Sequence, residues 1–196
     1  MTKGISQARK ELVEARAALE RIRVAASFAA YEAAWQDCLT RIERSWNKTK
    51  GAFADGRYRP WRGTHEHARR NDQLLSYLSH ARDAEEHTVA DTLAQEPGSI
   101  GLNPAFGDVL IIESLTIRGG VMSVKSPHPI AITIQPGRIK LLPATSRGVT
   151  SPPPSEHLGV PLERADPDYV LERGIDYYDR LLADAEKRFD ESRGKA

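Results

Sequence analysis

The chain has almost no cysteine and no long apolar segment. Cys38 is the only cysteine among 196 residues, so an intrachain disulfide is excluded and a reducing compartment is expected. No stretch approaches the ~18 consecutive apolar residues that a membrane-spanning helix needs. The first ten residues carry charge without an apolar run, which is not the pattern of a signal peptide. We therefore predict a cytoplasmic protein.

The chain also lacks a strong excess of either charge. It has 28 Lys and Arg against 27 Asp and Glu, a formal net charge of +1. No global attraction to nucleic acid or to a membrane surface is expected, so any such attraction must come from a local patch. Hydrophobic residues make up 40% and charged residues 28% of the chain, which is typical of a folded protein.

Apolar residues recur at spacings of three and four in four segments, which predicts four amphipathic helices. The first covers about residues 6–26, and the second begins after Ser27 as its cap. Residues 51–63 are rich in glycine and interrupt the pattern, which predicts a loop. The third is expected to be one long helix over about residues 66–95. The last begins at Asp166-Pro167, a typical helix start.

Between the third and fourth helices the pattern changes to short β-branched runs. Gly119-Gly120 and Pro136-Gly137 stand where hairpin turns are expected, which predicts an antiparallel sheet of three or four strands within residues 106–142. Residues 143–162 contain five prolines, which favours an extended connection.

These elements together predict a mainly α fold class. We expect a four-helix bundle with a small antiparallel β insertion between helices 3 and 4. Residues 1–98 and 163–196 would form the bundle as a single domain, and Cys38, on an apolar stripe, would lie in its core.

Residues 41–70 form a basic segment within this balanced chain. Nine Lys and Arg stand against three acids, and four aromatic residues are interleaved with them. Cations beside aromatic rings can hold phosphates and stack bases, which indicates RNA as a ligand. The alternative is that the aromatic rings anchor the segment to the bundle while the charges stay in water. The candidate RNA-binding residues are Lys48, Lys50, Arg57, Arg59, Trp61, Arg69 and Arg70.

The third predicted helix carries a polar pattern that indicates chemistry. Arg82 is followed by Asp83 and, one turn further on, by His87. This Arg-x4-His pattern with a polar residue after the arginine resembles the motif of the HEPN superfamily, of which many members are metal-independent ribonucleases or toxin-like effectors. The resemblance is close over the motif, loose over the helical segments, and does not include the β insertion. The commoner HEPN pattern has Asn where this chain has Asp83.

The resemblance implies a role for each residue of the motif. Arg82 would clamp a phosphate by bidentate hydrogen bonds, and His87 would act as acid or base in cleavage at the 2′-hydroxyl. Asp83 would fix the tautomer of the imidazole. HEPN sites commonly form between two protomers, so a homodimer is implied as well.

The same spacing has a simpler interpretation. Arg82 with Glu86, and Asp83 with His87, are ordinary i,i+4 ion pairs of a helix surface. On a straight helix Arg82 and His87 are also ~140° apart, so they share a site only across a cleft or with a second chain. The alternative hypothesis is a non-enzymatic homodimeric interaction module, whose β insertion or Pro-rich segment binds a protein partner.

The histidines do not form a recognised metal-binding pattern. His65-x-His67 and His80 come without an HExxH sequence and without a cysteine pair. We therefore predict no metal site and no cofactor.

Overall fold

The computed structural model describes residues 3–87 and 91–193 and corrects the predicted fold class. These residues form five α-helices and ten short strands, not a four-helix bundle with one small β insertion between helices 3 and 4. The helices are α1 (Lys3–Arg23), α2 (Phe28–Ala52), α3 (Arg59–Asn71), α4 (Gln73–His87) and α5 (Pro167–Arg193). The strands are β1 (Leu93–Glu96), β2 (Ser99–Pro104), β3 (Ser114–Arg118), β4 (Val121–Lys125), β5 (Ile130–Gln135), β6 (Arg138–Leu141), β7 (Ala144–Ser146), β8 (Val149–Ser151), β9 (Glu156–His157) and β10 (Val160–Pro161).

The chain divides into two compact units. Residues 1–94 and 139–196 form one, called here the helical unit, and residues 95–138 form the other, called the β unit. All five helices belong to the helical unit, together with β7 to β10. None of the helices in the described ranges is long and apolar enough to cross a membrane.

The core of the helical unit lies between the apolar faces of its helices. α1 packs along α2 and α5, and its buried face includes Ala8, Ala15 and Ala18, which let the neighbouring helices approach closely. The largest fully buried side chains include Trp35 and Tyr178. The stripes predicted for these helices therefore lead to the observed core, and Cys38 is buried within it.

The start of α2 follows from local capping. Ser27 has an extended backbone, and its side chain accepts a hydrogen bond from the backbone N–H of Ala30 at 3.2 Å. This confirms Ser27 as the cap of α2. The segment before α3 is held by a 3₁₀ turn at Gly56–Tyr58, where Asp55 accepts from Arg57.

The prediction of one long helix over residues 66–95 is wrong. Asp72 has an extended backbone (φ −76°, ψ 131°), so α3 ends before it and α4 begins after it. Its backbone N–H donates to the Ala68 carbonyl at 2.8 Å, and its Oδ1 accepts from the Leu75 N–H at 2.9 Å. Asp72 therefore closes one helix and caps the next, and β1 already begins at Leu93.

Residues 143–162, expected as an extended connection, form two small hairpins in the structure. β7 pairs with β8 across Arg147-Gly148, and β9 pairs with β10 across Leu158-Gly159. All four turn residues have positive φ, as type I′ turns require. β7 and β9 contact α4, so these hairpins are packed elements of the helical unit.

The β unit contains two antiparallel ladders, one nested within the other in sequence. β2 pairs with β5, from Ser99 opposite Gln135 to Pro104 opposite Ile130. β3 and β4 lie between them in sequence and pair across Gly119-Gly120, a turn with positive φ at both residues. Residues 109–112 lie within the segment in which strands were expected, but they have no regular structure.

Candidate functional site

Two cavities follow each other along the seam where α2 packs against α4. The first, called here the basic cavity, has a volume of about 370 Å³, and the second, the mixed cavity, about 310 Å³. Glu43 of α2 borders the first, and the next residue, Arg44, borders the second. The seam therefore runs from the predicted RNA-binding segment to the predicted catalytic motif.

The basic cavity brings together residues of three helices. Lys50 comes from the end of α2, Arg70 from α3, and Ser76, Ser79 and His80 from α4. Lys50 and Arg70 are exposed, and neither has an ion-pair partner among the described residues. His80 is held by a hydrogen bond between its Nδ1 and Ser151 of β8. The cavity thus combines two cations that have no ion-pair partner with two serine hydroxyl groups, while its two acids, Glu43 and Glu66, pair with Arg69 and Arg62.

Arg69 also borders this cavity, but its guanidinium is used inside the protein. The side chain is only 10% exposed and donates to Glu43 at 2.6 Å, to Ser79 at 3.3 Å and to the hydroxyl of Tyr178. Burial opposes its charge, but the neighbouring Tyr178 and Glu43 outweigh burial and raise its pKa. Arg69 therefore ties α3 to α2, α4 and α5, and it is not a free phosphate ligand.

Arg82 borders the mixed cavity and is paired with two carboxylates. Its Nη1 donates to Asp83 at 2.8 Å, and its Nη2 lies 2.6 Å from Glu86. Burial disfavours the charge, but the hydrogen bond to Asp83 and the nearby acids prevail and raise the pKa of Arg82. Its Nε is buried and has no hydrogen-bond partner among the described residues. The side chain of His87 lies outside the described residues.

Glu85, within the same motif, has a structural role. Its Oε1 accepts from the Thr92 hydroxyl at 2.5 Å, and its Oε2 accepts from Gln36 at 2.7 Å. Thr92 in turn accepts from the indole N–H of Trp35 at 3.0 Å, and both residues are fully buried. This network joins the last turn of α4 to α2 and to the chain just before β1.

Of the other predicted RNA-binding residues, some make contacts within the protein and the rest are exposed to solvent. Trp61 is buried, contacts the ring of Phe53 at 4.7 Å and donates to Asp184 at 2.5 Å, so it anchors α3 rather than stacking a base. Lys48 pairs with Glu11 of α1. Two further cations stay at the surface: Arg57, 3.4 Å from Asp55, and Arg59.

The histidines of the basic segment have local partners. His65 shares a hydrogen bond of 2.9 Å with the Tyr177 hydroxyl, and His67 contacts Asn71 at 3.1 Å. Burial lowers the pKa of His65, with opposing influences of Asp184 and Arg188. In the part of the chain that the structure describes, no group of three His, Cys, Asp or Glu side chains could hold a metal ion.

A buried Asp–His pair was missed by the sequence analysis. His157 is 8% exposed, its Nδ1 lies 2.9 Å from Asp72 Oδ1, and Asp72 Oδ2 accepts from the Leu158 N–H at 2.6 Å. Only the capping preference of Asp72 signalled this role, because its partners are 85 and 86 residues away in sequence. The pair secures the β9–β10 hairpin against the start of α4.

Comparison with known proteins found no relative of this chain. Searches against protein families, curated proteins and solved structures found no match to the chain. The resemblance to HEPN proteins therefore continues to depend on the Arg82-to-His87 motif and its helical setting.

Proposed function

We propose that this protein is a HEPN-like protein that binds RNA along the α2–α4 seam and cleaves it without a metal ion, using Arg82 and His87. One observation carries the binding part. Three exposed cations without an ion-pair partner among the described residues, Arg44, Lys50 and Arg70, border the two consecutive cavities. Acids and bases line the two cavities in equal number, but the acids are paired with other cations or hydrogen-bonded, so the three unpaired cations favour a polyanion.

The basic cavity has the chemistry of a phosphate site. Lys50 and Arg70 supply positive charge, and the hydroxyl groups of Ser76 and Ser79 can donate hydrogen bonds to phosphate oxygens. Trp46 is 3% exposed, so base stacking on its ring is not part of the proposal. The expected contacts are therefore with the sugar–phosphate backbone, which gives affinity with little sequence preference.

The cleavage part requires Arg82 to exchange one carboxylate for a phosphate. Glu86 is the exposed partner, and its displacement would free Nη2 of Arg82 for a phosphate oxygen. His87 would then act either as the base that takes the proton of the attacking 2′-hydroxyl or as the acid that protonates the departing 5′-oxygen as the P–O5′ bond breaks. The resemblance implies that a second copy of the chain contributes to this site.

RNA binding is tested by removing two cations of the basic cavity. The Lys50→Ala/Arg70→Ala variant should bind single-stranded RNA more weakly, and the slope of log affinity against log salt should fall by about 1.4 for two lost phosphate contacts. The matched control is Lys10→Ala/Arg180→Ala, which removes two exposed cations of α1 and α5. Equal affinity of both variants in a fluorescence-anisotropy titration would reject the seam as the binding site.

Cleavage is tested separately, with a chelator present to exclude divalent metals. His87→Ala should abolish cleavage of a mixed RNA pool while leaving RNA affinity and the melting temperature unchanged. Wild-type protein that binds RNA but leaves it intact would reject the catalytic part and keep the binding part. Wild-type protein that does not bind RNA at moderate salt would reject both.

A further inference from the structure

The β unit exposes an unusual amount of apolar surface. Of the fifteen large hydrophobic side chains that are exposed in the described residues, ten lie in the β unit. Ile134 is 71% exposed, Ile117 67% and Phe106 84%. Soluble monomers rarely present contiguous apolar patches of more than a few hundred Å², and larger patches mark binding surfaces.

The strand register arranges these side chains on two apolar faces. In the β3–β4 ladder Leu115 lies opposite Val124 and Ile117 opposite Met122, so all four side chains share one face. The other face of this ladder carries Ser, Thr and charged residues, with Val121 as its one apolar member. Each ladder is thus a two-stranded amphipathic sheet.

The β2–β5 ladder repeats the same arrangement. Ile100 lies opposite Ile134, and Leu102 opposite Ile132, on one face, while Ser99, Thr133 and Gln135 belong to the other. Isolated two-stranded ladders are marginal in water and require an apolar layer packed against them. The β unit spans only residues 95–138 and contains no cysteine, so no disulfide supports it.

We infer that the β unit is the surface through which two copies of this chain associate, each covering the apolar ladder faces of the other. This inference goes beyond the proposed RNA chemistry and does not depend on it. The inferred contact lies on the ladders of the β unit and is separate from the contribution of a second copy at the Arg82 site that the resemblance implies.

The charges of the β unit favour a second copy as the occupant. Its Lys and Arg are three, and its Asp and Glu are also three, so two copies do not repel each other. Lys125 pairs with Glu113 at 2.9 Å within the unit. Arg118 and Asp108 have no ion-pair partner among the described residues, and a two-fold contact offers each an opposite charge.

The apolar surface of the β unit approaches the size of a standard dimer interface. Five of the ten exposed side chains lie on the apolar ladder faces and, at roughly 100 Å² each, present on the order of 500 Å² per copy. Four more in the irregular segment between β2 and β3, Phe106, Val109, Ile111 and Ile112, add on the order of 400 Å², compared with about 800 Å² per partner in a standard interface. A partner of unlike sequence would have to match the same neutral, apolar surface.

The experiment measures the mass of the full chain by light scattering at about 100 μM, where mass action favours association. The wild type should be a dimer, and Ile117→Thr/Ile134→Thr should be a monomer, because threonine keeps β propensity while removing apolar surface. The control Thr116→Gln/Thr133→Gln changes the polar faces of the same ladders without adding charge and should remain a dimer. Unchanged helical circular dichroism in both variants shows that the helical unit stays folded.

Three results would overturn the inference: a monomeric wild type, a dimeric Ile117→Thr/Ile134→Thr variant, or an equal effect of the control. A dimer that persists in the threonine variant but is lost in a variant of α4 would assign association to the helices instead. RNA affinity, measured on the same samples, reports independently on the seam.

Discussion

Asp72 shows how a single side chain can connect distant parts of the chain. Its carboxylate receives the N–H groups of Leu75 and Leu158 and the imidazole of His157. Burial raises the pKa of Asp72, but these three hydrogen bonds, together with the charge of His157, more than compensate and lower the pKa. The ionised carboxylate is therefore the form that the fold stabilises.

Replacing Asp72 with Asn should destabilise the protein by about 1–3 kcal/mol at neutral pH, because a charged acceptor of three hydrogen bonds is lost. The folded pKa lies below the ordinary value of 3.8, so the unfolded chain takes up the proton first as the pH falls. The stabilisation by Asp72 is therefore complete above about pH 5 and is lost as the pH falls through the folded pKa.

Urea unfolding at several pH values measures this effect. The difference between wild type and Asp72→Asn should shrink below about pH 4, whereas Asp55→Asn, at an exposed cap, should have a small effect throughout. A constant difference down to pH 2 would contradict the assigned role of the charge.

Leu158 occupies an unfavourable backbone conformation. Its φ of 51° lies in the left-handed region, which costs about 1 kcal/mol or more for a side chain with a Cβ. Leu158→Asn, which produces the Asn-Gly sequence preferred in type I′ turns, should stabilise the protein by about 0.5–1 kcal/mol. Thermal melting checks this, with the exposed strand residue Val160→Asn as a control that should give no gain.

At the level of elements, the α3–α4 break and the helix–helix contacts determine where the seam lies. The sequence predicted the buried stripes of α1, α2 and α5, because the 3.6-residue period is a local property. It did not predict the break, because apolar residues continue in phase across Asp72 while the hydrogen bonds that fix the break come from residues 157 and 158. A helix boundary that is fixed by contacts with residues distant in sequence cannot be predicted from local periodicity.

The same limit applied to the candidate site. The charge run predicted Lys50, Arg69 and Arg70 alike as RNA-binding, and it did not distinguish the exposed Lys50 and Arg70 from Arg69, which is buried against Tyr178. Which cation of a run faces the interior depends on the packing of α3 against α5. For Arg82 the expected i,i+4 partner, Glu86, is present, and the geometry at His87 stays a prediction.

α5 packs against α4 at Gly174, a residue without a Cβ atom. A Cβ at Gly174 would lie 2.4 Å from Leu78 Cδ1, which is a clash. Gly174→Ala requires the end of the buried Leu78 side chain to shift, and the overpacking cost of about 1–3 kcal/mol is partly offset by a helix-propensity gain of about 1 kcal/mol, so the net destabilisation should be about 0–2 kcal/mol. Gly51→Ala in α2, where a Cβ meets nothing within 4 Å, should instead stabilise it.

Urea unfolding of both alanine variants gives the comparison. Leu78→Ala alone should cost about 2–5 kcal/mol, but the double variant should be more stable than the sum of the two single effects predicts, because Leu78→Ala removes the methyl group that meets the new Cβ. Purely additive effects would show that the two side chains do not interact.

At the scale of the whole molecule, the first and last residues of the β unit lie close together. A Cβ on Gly98 would lie 2.9 Å from the backbone nitrogen of Gly137, so the two ends of the unit are in contact. Closely spaced ends are typical of segments that can be removed without disturbing the rest. The helical unit, which contains the proposed seam, is expected to fold without the ladders.

Replacing residues 99–136 with Asn-Gly should therefore give a folded protein of the helical unit. Its helical circular dichroism should match that calculated for the five helices, its RNA affinity should equal that of the wild type, and it should be a monomer. Loss of helical structure would show that the helical unit requires the β unit, and retained dimerisation would place self-association elsewhere.

The nesting of the two ladders also has a kinetic consequence. Gly119-Gly120 joins neighbours in sequence, whereas Ser99 pairs with Gln135 across 36 positions. Closing the inner ladder first shortens the effective loop that the outer pair must bridge, and this lowers the entropic barrier to its formation. The β3–β4 ladder should consequently form first, starting at Gly119-Gly120, and the β2–β5 ladder should form after it. The pair between Ser99 and Gln135 should be the last to form and the first to open.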